Sequence, residues 1–292
     1  MQHARTSLLA TATVIGSGLL WGFYWVPVRE LNALGLSGAW GTLAITLAAA
    51  LVLWPVVVFR NRKLWRSDPG ALAAIALGGV AFGLYSIGFV YGHVAIIILL
   101  FFLTPVWSTL IGRFVMGWDT PALRLVAIVV GLLGLATMLS AGGGVPLPRG
   151  LGEWMALAAG LLWAISTTVI RVRPGPAPLE AAFVFAVGAA VASAAMAPGL
   201  GASPGVIHWG SVAIWACVAG ILWWGPAIAA LMWATTQLDP ARVGILLMSE
   251  VLVGAASAAL IAGETLSPIE VIGGSLVLCA GVLEVWPVKR HR

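Results

Sequence analysis

Charge is what this sequence has least of. Asp, Glu, Lys and Arg make up 9% of its 292 residues, where soluble domains carry about a quarter. A water-facing globular surface cannot be built from so little, which excludes an ordinary soluble domain. Two cysteines exclude a disulfide scaffold and a Cys-rich metal site. Cys217 and Cys279 both fall inside apolar runs, where two buried, unpaired thiols are expected. Catalytic motifs are missing as well: there is no His-Glu-x-x-His, no Cys-x-x-Cys and no Gly-x-Ser-x-Gly. No catalytic group, metal site or cofactor is therefore assigned.

What the chain has is apolar length. It is 61% hydrophobic, with a mean hydropathy of +1.05. About 20 apolar residues cross the ~30 Å hydrocarbon layer of a bilayer. Ten such runs follow one another, near 8–28, 39–59, 70–91, 94–116, 123–141, 152–170, 179–197, 211–235, 242–262 and 267–287. The first run is too long for the apolar region of a signal peptide and is read as a span. Connections are short and leave no room for a soluble domain. The expectation is an all-α membrane protein of ten transmembrane helices.

The cations orient it. With the N-terminus in the cytoplasm, Arg5, Arg60, Arg62, Lys63, Arg66, Arg113, Arg124, Arg171, Arg173, Arg242, Lys289, Arg290 and Arg292 fall inside. Only Arg29 and Arg149 of the 15 basic residues fall outside. Both termini are then cytoplasmic. The net charge of +5 belongs to the inner membrane face and calls for no nucleic acid.

The chain also repeats itself. "GLLWG" (18–22) resembles "GLLWA" (160–164), so Trp21 matches Trp163, and Arg29 matches Arg171 at the same offset. Residues 93–117 resemble 239–263, where Ala95 meets Ala241, Pro105 meets Val251 and Gly117 meets Gly263. One half covers 1–143 and the other 151–292, joined by the loop "AGGGVPLPRG". Five spans per half is an odd number, so the second half must enter the membrane inverted. Arg29 outside and Arg171 inside agree with that. Inverted repeats let two similar halves rock about a midplane site.

These features resemble a known family. The "GLLW" opening of each half, the Leu-Thr-Pro at 103–105 with a later glycine, and "SEV…AGE" at 249–264 are similar to the drug/metabolite transporter superfamily. The likeness is to its ten-helix form with two EamA-type halves. The aromatic content of spans 1, 3, 4 and 8 is most like the YddG-type amino-acid exporters. Val251 stands where the family pattern carries proline. Trp118 stands where the first half would carry the Glu matching Glu264, with Asp119 one residue on. The resemblance implies a carrier in a bacterial inner membrane that exports amino acids or related metabolites by alternating access. Aromatic and other apolar amino acids are the class expected. Drugs or nucleotide-type metabolites are the alternative cargo, and a membrane-embedded enzyme or a channel are the rival classes. The partners implied are a small-molecule substrate and the lipid bilayer, and one chain holds both halves, so a monomer suffices.

The faces of the spans nominate the cavity. Glu250 stands in "GILLMSEVLVGAASAAL", and a carboxylate at bilayer depth costs on the order of 3 kcal/mol, so it must point inward. No Lys or Arg lies at comparable depth to pair with it. Ser249 and Ser257 stand close by. Span 4 offers Phe101, Thr104, Trp107 and Ser108 beside Pro105. Span 1 stacks Trp21, Tyr24 and Trp25, and its counterpart span 6 offers Trp163, Ser166 and Thr167. Span 3 presents Phe82, Tyr85, Ser86 and Phe89 at helical spacing, and span 8 carries Trp223 and Trp224 before Pro226. Trp40, Trp65, Trp118, Trp154, Trp209 and Trp286 sit at span ends as interface anchors. The substrate-cavity candidates are therefore Trp21, Tyr24, Phe82, Tyr85, His93, Phe101, Trp107, Trp163, Ser166, Trp223, Ser249 and Glu250. His208, like His93, falls near an outer span end and is expected in an exposed loop. Asp119, Glu264 and Glu270 are expected to be solvated helix ends, and Asp239-Pro240 a turn into span 9.

Overall fold

The computed structural model describes residues 2–60, 67–173, 175–200, 207–235, 237–238 and 240–286. Arg62, Lys63, Trp65, Arg66, Asp239, Lys289, Arg290 and Arg292 lie outside the described residues, and only the backbone of Arg60 and Arg242 is described. Every element among the described residues is helical. Eight stretches are long and apolar enough to cross a membrane: 5–33, 40–59, 69–91, 94–114, 122–142, 151–172, 178–200 and 209–231. The chain is thus a multi-pass helical membrane protein. Two more helices follow, α12 (Pro240–Ile261) and α13 (Pro268–Val285). Within α12 the apolar stretch counted is the shorter Leu246–Ile261.

Three of the stretches are broken, each at a proline. α1 (Gln2–Gly22) gives way to α2 (Trp25–Ala33) just before Pro27. α5 (Val94–Phe101) gives way to α6 (Thr104–Phe114), with Pro105 in the first turn of α6. Between α10 (Trp209–Ala219) and α11 (Ile228–Thr235) the chain runs as a π-helix, Gly220–Ala227, around Pro226. Proline has no N–H for the carbonyl four residues back, and its ring crowds that carbonyl. Ahead of Pro105 the freed carbonyl is that of Phe101, and the Thr104 hydroxyl donates to it at 2.7 Å. Inside a membrane such a repair is required, because no water can take over.

The other helices are continuous: α3 (Trp40–Arg60), α4 (Pro69–Tyr91), α7 (Ala122–Leu139), α8 (Leu151–Val172) and α9 (Pro178–Leu200). Side-chain caps start α4 and α13. Asp68 accepts from the Ala71 amide at the head of α4. Ser267 and Glu270 form a capping box on α13, so Glu270, expected in solvent, is 9% exposed and occupied at its own helix end. Asp119 is exposed, as expected.

Packing rests on small residues. α4 lies against α8 and α9, α3 against α9, α1 against α12, and α7 against α13. At the α4–α9 crossing a Cβ on Gly79 would stand 1.9 Å from the Phe185 carbonyl oxygen, and one on Gly188 would stand 2.2 Å from that of Ala76. Backbones that close tolerate nothing larger than glycine, the packing mode that replaces the hydrophobic drive in lipid. Cys217 and Cys279 are both exposed on the outside of the bundle. The expectation of buried thiols is corrected: an apolar run has a lipid-facing side as well as a buried one.

Candidate functional site

Aromatic rings from five helices meet in the middle of the bundle. Phe82 of α4 is their hub, with ring centroids 5.1 Å from Trp21, 4.9 Å from Trp163, 5.3 Å from Phe101 and 5.2 Å from Phe185. These contacts are edge-to-face, the arrangement that the ring quadrupole favours. Tyr85 stacks on Phe101 at 4.5 Å and 29°. The helix positions that supply the rings are two turns or less from a proline break, at Phe101 and at Trp21.

Beside this cluster lies a cavity of about 160 Å³, lined by Trp21, Phe82, Phe101, Phe102, Thr104, Pro105, Trp163, Ile228, Leu231, Leu247, Met248 and Glu250. Apolar cavities of roughly 150 Å³ hold a benzene ring, so the space suits one ring or one branched aliphatic chain. Among the described residues Glu250 is the only ionisable one in the wall. It is 7% exposed, and its Oε1 accepts a hydrogen bond from the Tyr85 hydroxyl at 3.0 Å. Among the described residues its second oxygen has no protein partner, and no cation pairs with it. The carboxylate is therefore held by one donor and open to the cavity on the other side.

Five of the twelve candidates line the cavity: Trp21, Phe82, Phe101, Trp163 and Glu250. Tyr85 stands directly behind as the donor to Glu250. Tyr24 lies one layer further out. Its hydroxyl takes the Trp224 indole N–H at 2.9 Å and bonds Ser86 at 3.0 Å. Trp223 donates to the Leu20 carbonyl, Ser166 to the Ala74 carbonyl, and Ser249 to the Leu246 carbonyl of its own helix. Trp107 packs against the core with its indole N–H buried and unpartnered. His93 is exposed at the N-cap of α5, and His208 is exposed at the N-cap of α10.

The sequence candidates did not include Phe102, Thr104, Pro105, Ile228, Leu231, Leu247 or Met248. Thr104 and Pro105 carry a signal in the proline break. The aliphatic four carry none, since they are apolar residues in an apolar chain.

On one side of the cavity polar contacts join the helices. The Trp25 indole donates to Ser257 at 2.9 Å. Above it Arg29 meets Glu264 at 2.6 Å and also donates to the carbonyls of Phe89 and Gly92. The other Glu264 oxygen accepts from the Val94 amide at 2.8 Å. Glu264 was expected in solvent; instead it ties α2, α4, α5 and the end of α12 together. At the opposite end Asp68 and Arg173 pair at 3.0 Å, and this guanidinium holds the Asp68 carboxyl below the usual carboxylate range.

The cavity thus lies beside the break between α5 and α6 in a helical membrane protein. Residues 8–140, just under half of the chain, match the EamA-like transporter family. A solved crystal structure shares the fold, with a TM-score of 0.59 over 94% of each chain at 17% identity. No curated protein matches the chain. The family match names no subtype, so the likeness to YddG-type exporters rests on the aromatic spans alone.

Proposed function

We propose that this protein is a secondary transporter that exports small organic solutes, apolar amino acids foremost, by alternating access across a bacterial inner membrane. One observation carries the reading: an aromatic-walled cavity with a carboxylate, sited at a helix break of residues 8–140, the part that matches the EamA-like transporter family, and completed by Trp163 and Glu250 from the rest of the chain. The substrate's amino group meets the open oxygen of Glu250. Its side chain lies among Phe82, Phe101 and Trp163. Its carboxylate faces the amino-terminal end of α6, whose dipole is positive there. Among the described residues no group of His, Cys, Asp and Glu is placed to hold a metal ion.

Helix packing supports two inverted five-span halves. Take α1–α2 as span 1, α3 as 2, α4 as 3, α5–α6 as 4 and α7 as 5, then α8, α9, α10–α11, α12 and α13 as 6 to 10. A shift of five spans turns span 3 on 6 into span 8 on 1, 3 on 7 into 8 on 2, and 1 on 9 into 6 on 4. It leaves 2 on 7, 5 on 10 and 4 on 9 unchanged. All of these contacts occur. A pseudo-twofold relation of that kind is what lets the two halves exchange roles in alternating access. The distribution of arginines then puts both termini in the cytoplasm.

The test is protection at the cavity wall. Leu247→Cys, in a Cys217→Ala/Cys279→Ala background, is reacted with a maleimide in the presence of leucine, phenylalanine or phenethylamine. Saturable protection by the amino acids is the expected result. Protection by phenethylamine alone redirects the cargo to organic amines, and no protection by any apolar solute overturns the assignment of this cavity.

A further inference from the structure

We propose that the Arg29–Glu264 ion pair is the latch of the outer gate, that Arg171 against Trp118 is its counterpart at the inner gate, and that their inequality biases the resting carrier toward the outer-closed state. The inference rests on the transporter reading and concerns how access to the cavity is regulated.

The two contacts occupy equivalent places. α6 and α12 end in the same cap. Gly117 and Gly263 both adopt the left-handed conformation, with φ of 67° and 65°. The next amide in each case reaches back six residues, Trp118 to the Gly112 carbonyl at 2.8 Å and Glu264 to that of Ala258 at 3.1 Å. That bond is one residue longer than the 6→1 bond of a Schellman motif, and its presence at both ends sets the residue after the glycine in the same place relative to its helix. Trp118 and Glu264 are thus the same structural position in the two halves, as the match of Gly117 with Gly263 requires.

Each cap residue then meets an arginine from the other half. Glu264 meets Arg29 at 2.6 Å. Trp118 meets Arg171, whose guanidinium carbon lies 5.3 Å from its ring centroid. Arg29 and Arg171 are themselves repeat partners. So one arrangement, a capped helix end against an arginine across the seam between halves, is built at both ends of the molecule.

The chemistry differs. At the outer end Glu264 is 9% exposed, and both its oxygens are engaged. At the inner end Trp118 is 36% exposed and Arg171 is exposed too. A cation over a ring in water is a weak contact. The outer ion pair is partly buried, with Arg29 29% exposed, and removing one partner of a hydrogen-bonded pair withdrawn from water is felt more strongly. A carrier changes state by breaking one seal as it forms the other, so unequal seals set the population of the two states.

The experiment places a reporter under the outer latch. Ser257, 4% exposed, bonds the Trp25 indole. Ser257→Cys in the Cys217→Ala/Cys279→Ala background is labelled in intact cells with a membrane-impermeant maleimide. The parent should label slowly. Glu264→Gln should speed labelling about tenfold, the scale of a typical coupling between sites, whereas Glu264→Asp should stay near the parent. Trp118→Glu, which gives Arg171 an ionic partner at the far end, should also speed it. That arm is the one that local loosening around the reporter cannot imitate. Unchanged labelling in Trp118→Glu overturns the proposal, whatever Glu264→Gln does, and it decides alone if Glu264→Gln fails to insert. Solute counterflow by the parent is measured in parallel. Counterflow without a labelling response sinks the latch and leaves the transporter. A labelling response without counterflow supports the latch and sinks the transport reading.

Discussion

Replacing Tyr85 by phenylalanine removes one oxygen and leaves the ring in place. The stack on Phe101 at 4.5 Å should survive, so the bundle should fold. What goes is the hydroxyl that donates to Glu250 at 3.0 Å. A hydrogen bond to a charged group contributes about 1.5–3 kcal/mol. The lower figure, ~1.5 kcal/mol, corresponds to roughly a tenfold loss of substrate affinity. Glu250→Gln goes further, since it removes the charge that the amino group meets. Truncating one partner of a buried charge pair costs about 2 kcal/mol or more, a factor of roughly 30 or more in affinity. The assay is apolar amino-acid uptake and binding in proteoliposomes, with both variants first shown to be monodisperse. The order parent, Tyr85→Phe, Glu250→Gln should hold at every substrate tested. A Glu250→Gln carrier with the parent's uptake and affinity would refute the reasoning, because an amide would then fill the niche as well as a carboxylate.

Other expectations are independent of that pair. Trp163→Ala should weaken substrate affinity by about 2- to 13-fold, the worth of ~0.5–1.5 kcal/mol from a ring contact, while Trp107→Ala should lower thermal stability and leave affinity alone; equal effects on affinity would contradict the cavity boundary. Gly79→Ala should lower the melting temperature in detergent, since its Cβ would stand 1.9 Å from the Phe185 carbonyl and overpacking costs about 1–3 kcal/mol; an unchanged melt counts against the α4–α9 crossing. Cysteines at Ser67 and at Val145, which is 74% exposed, should label from opposite sides of intact cells, Val145 from outside, and same-side labelling contradicts the inverted halves. The Asp68 carboxyl is depressed by Arg173, so its contribution is present at neutral pH and lost as pH falls through that depressed value, below about 4. The melting difference between parent and Asp68→Asn should therefore vanish in acid, and a difference that persists there contradicts the pairing.

The parts of the site that were legible in the sequence are those that violate the local composition. Glu250 is a charge among apolar residues, and Trp21 and Trp163 lie too deep for an interface belt. Phe82 and Phe101 share faces with other aromatics, and Pro27, Pro105 and Pro226 mark the breaks. Leu231 and Met248 line the same cavity and are indistinguishable from any lipid-facing neighbour. Ser166, Trp223 and Ser249 read as cavity donors, yet their hydrogen bonds go to backbone carbonyls, because buried donors satisfy the nearest acceptor. Glu264 reads as a solvated end, and only the fold shows Arg29 and the Val94 amide converging on it from 235 and 170 positions away. Charge type tells that a residue must be satisfied; the partner is a property of the packed bundle.

Counterflow tests the central claim most directly. Purified protein is reconstituted into liposomes loaded with unlabelled phenylalanine or leucine, and labelled amino acid is supplied outside at low concentration. The account predicts a transient, saturable accumulation of label above equilibrium that needs the internal load and is sharply reduced in Glu250→Gln. Label that only equilibrates, at a rate indifferent to the internal load and to Glu250, would contradict a carrier working through this cavity.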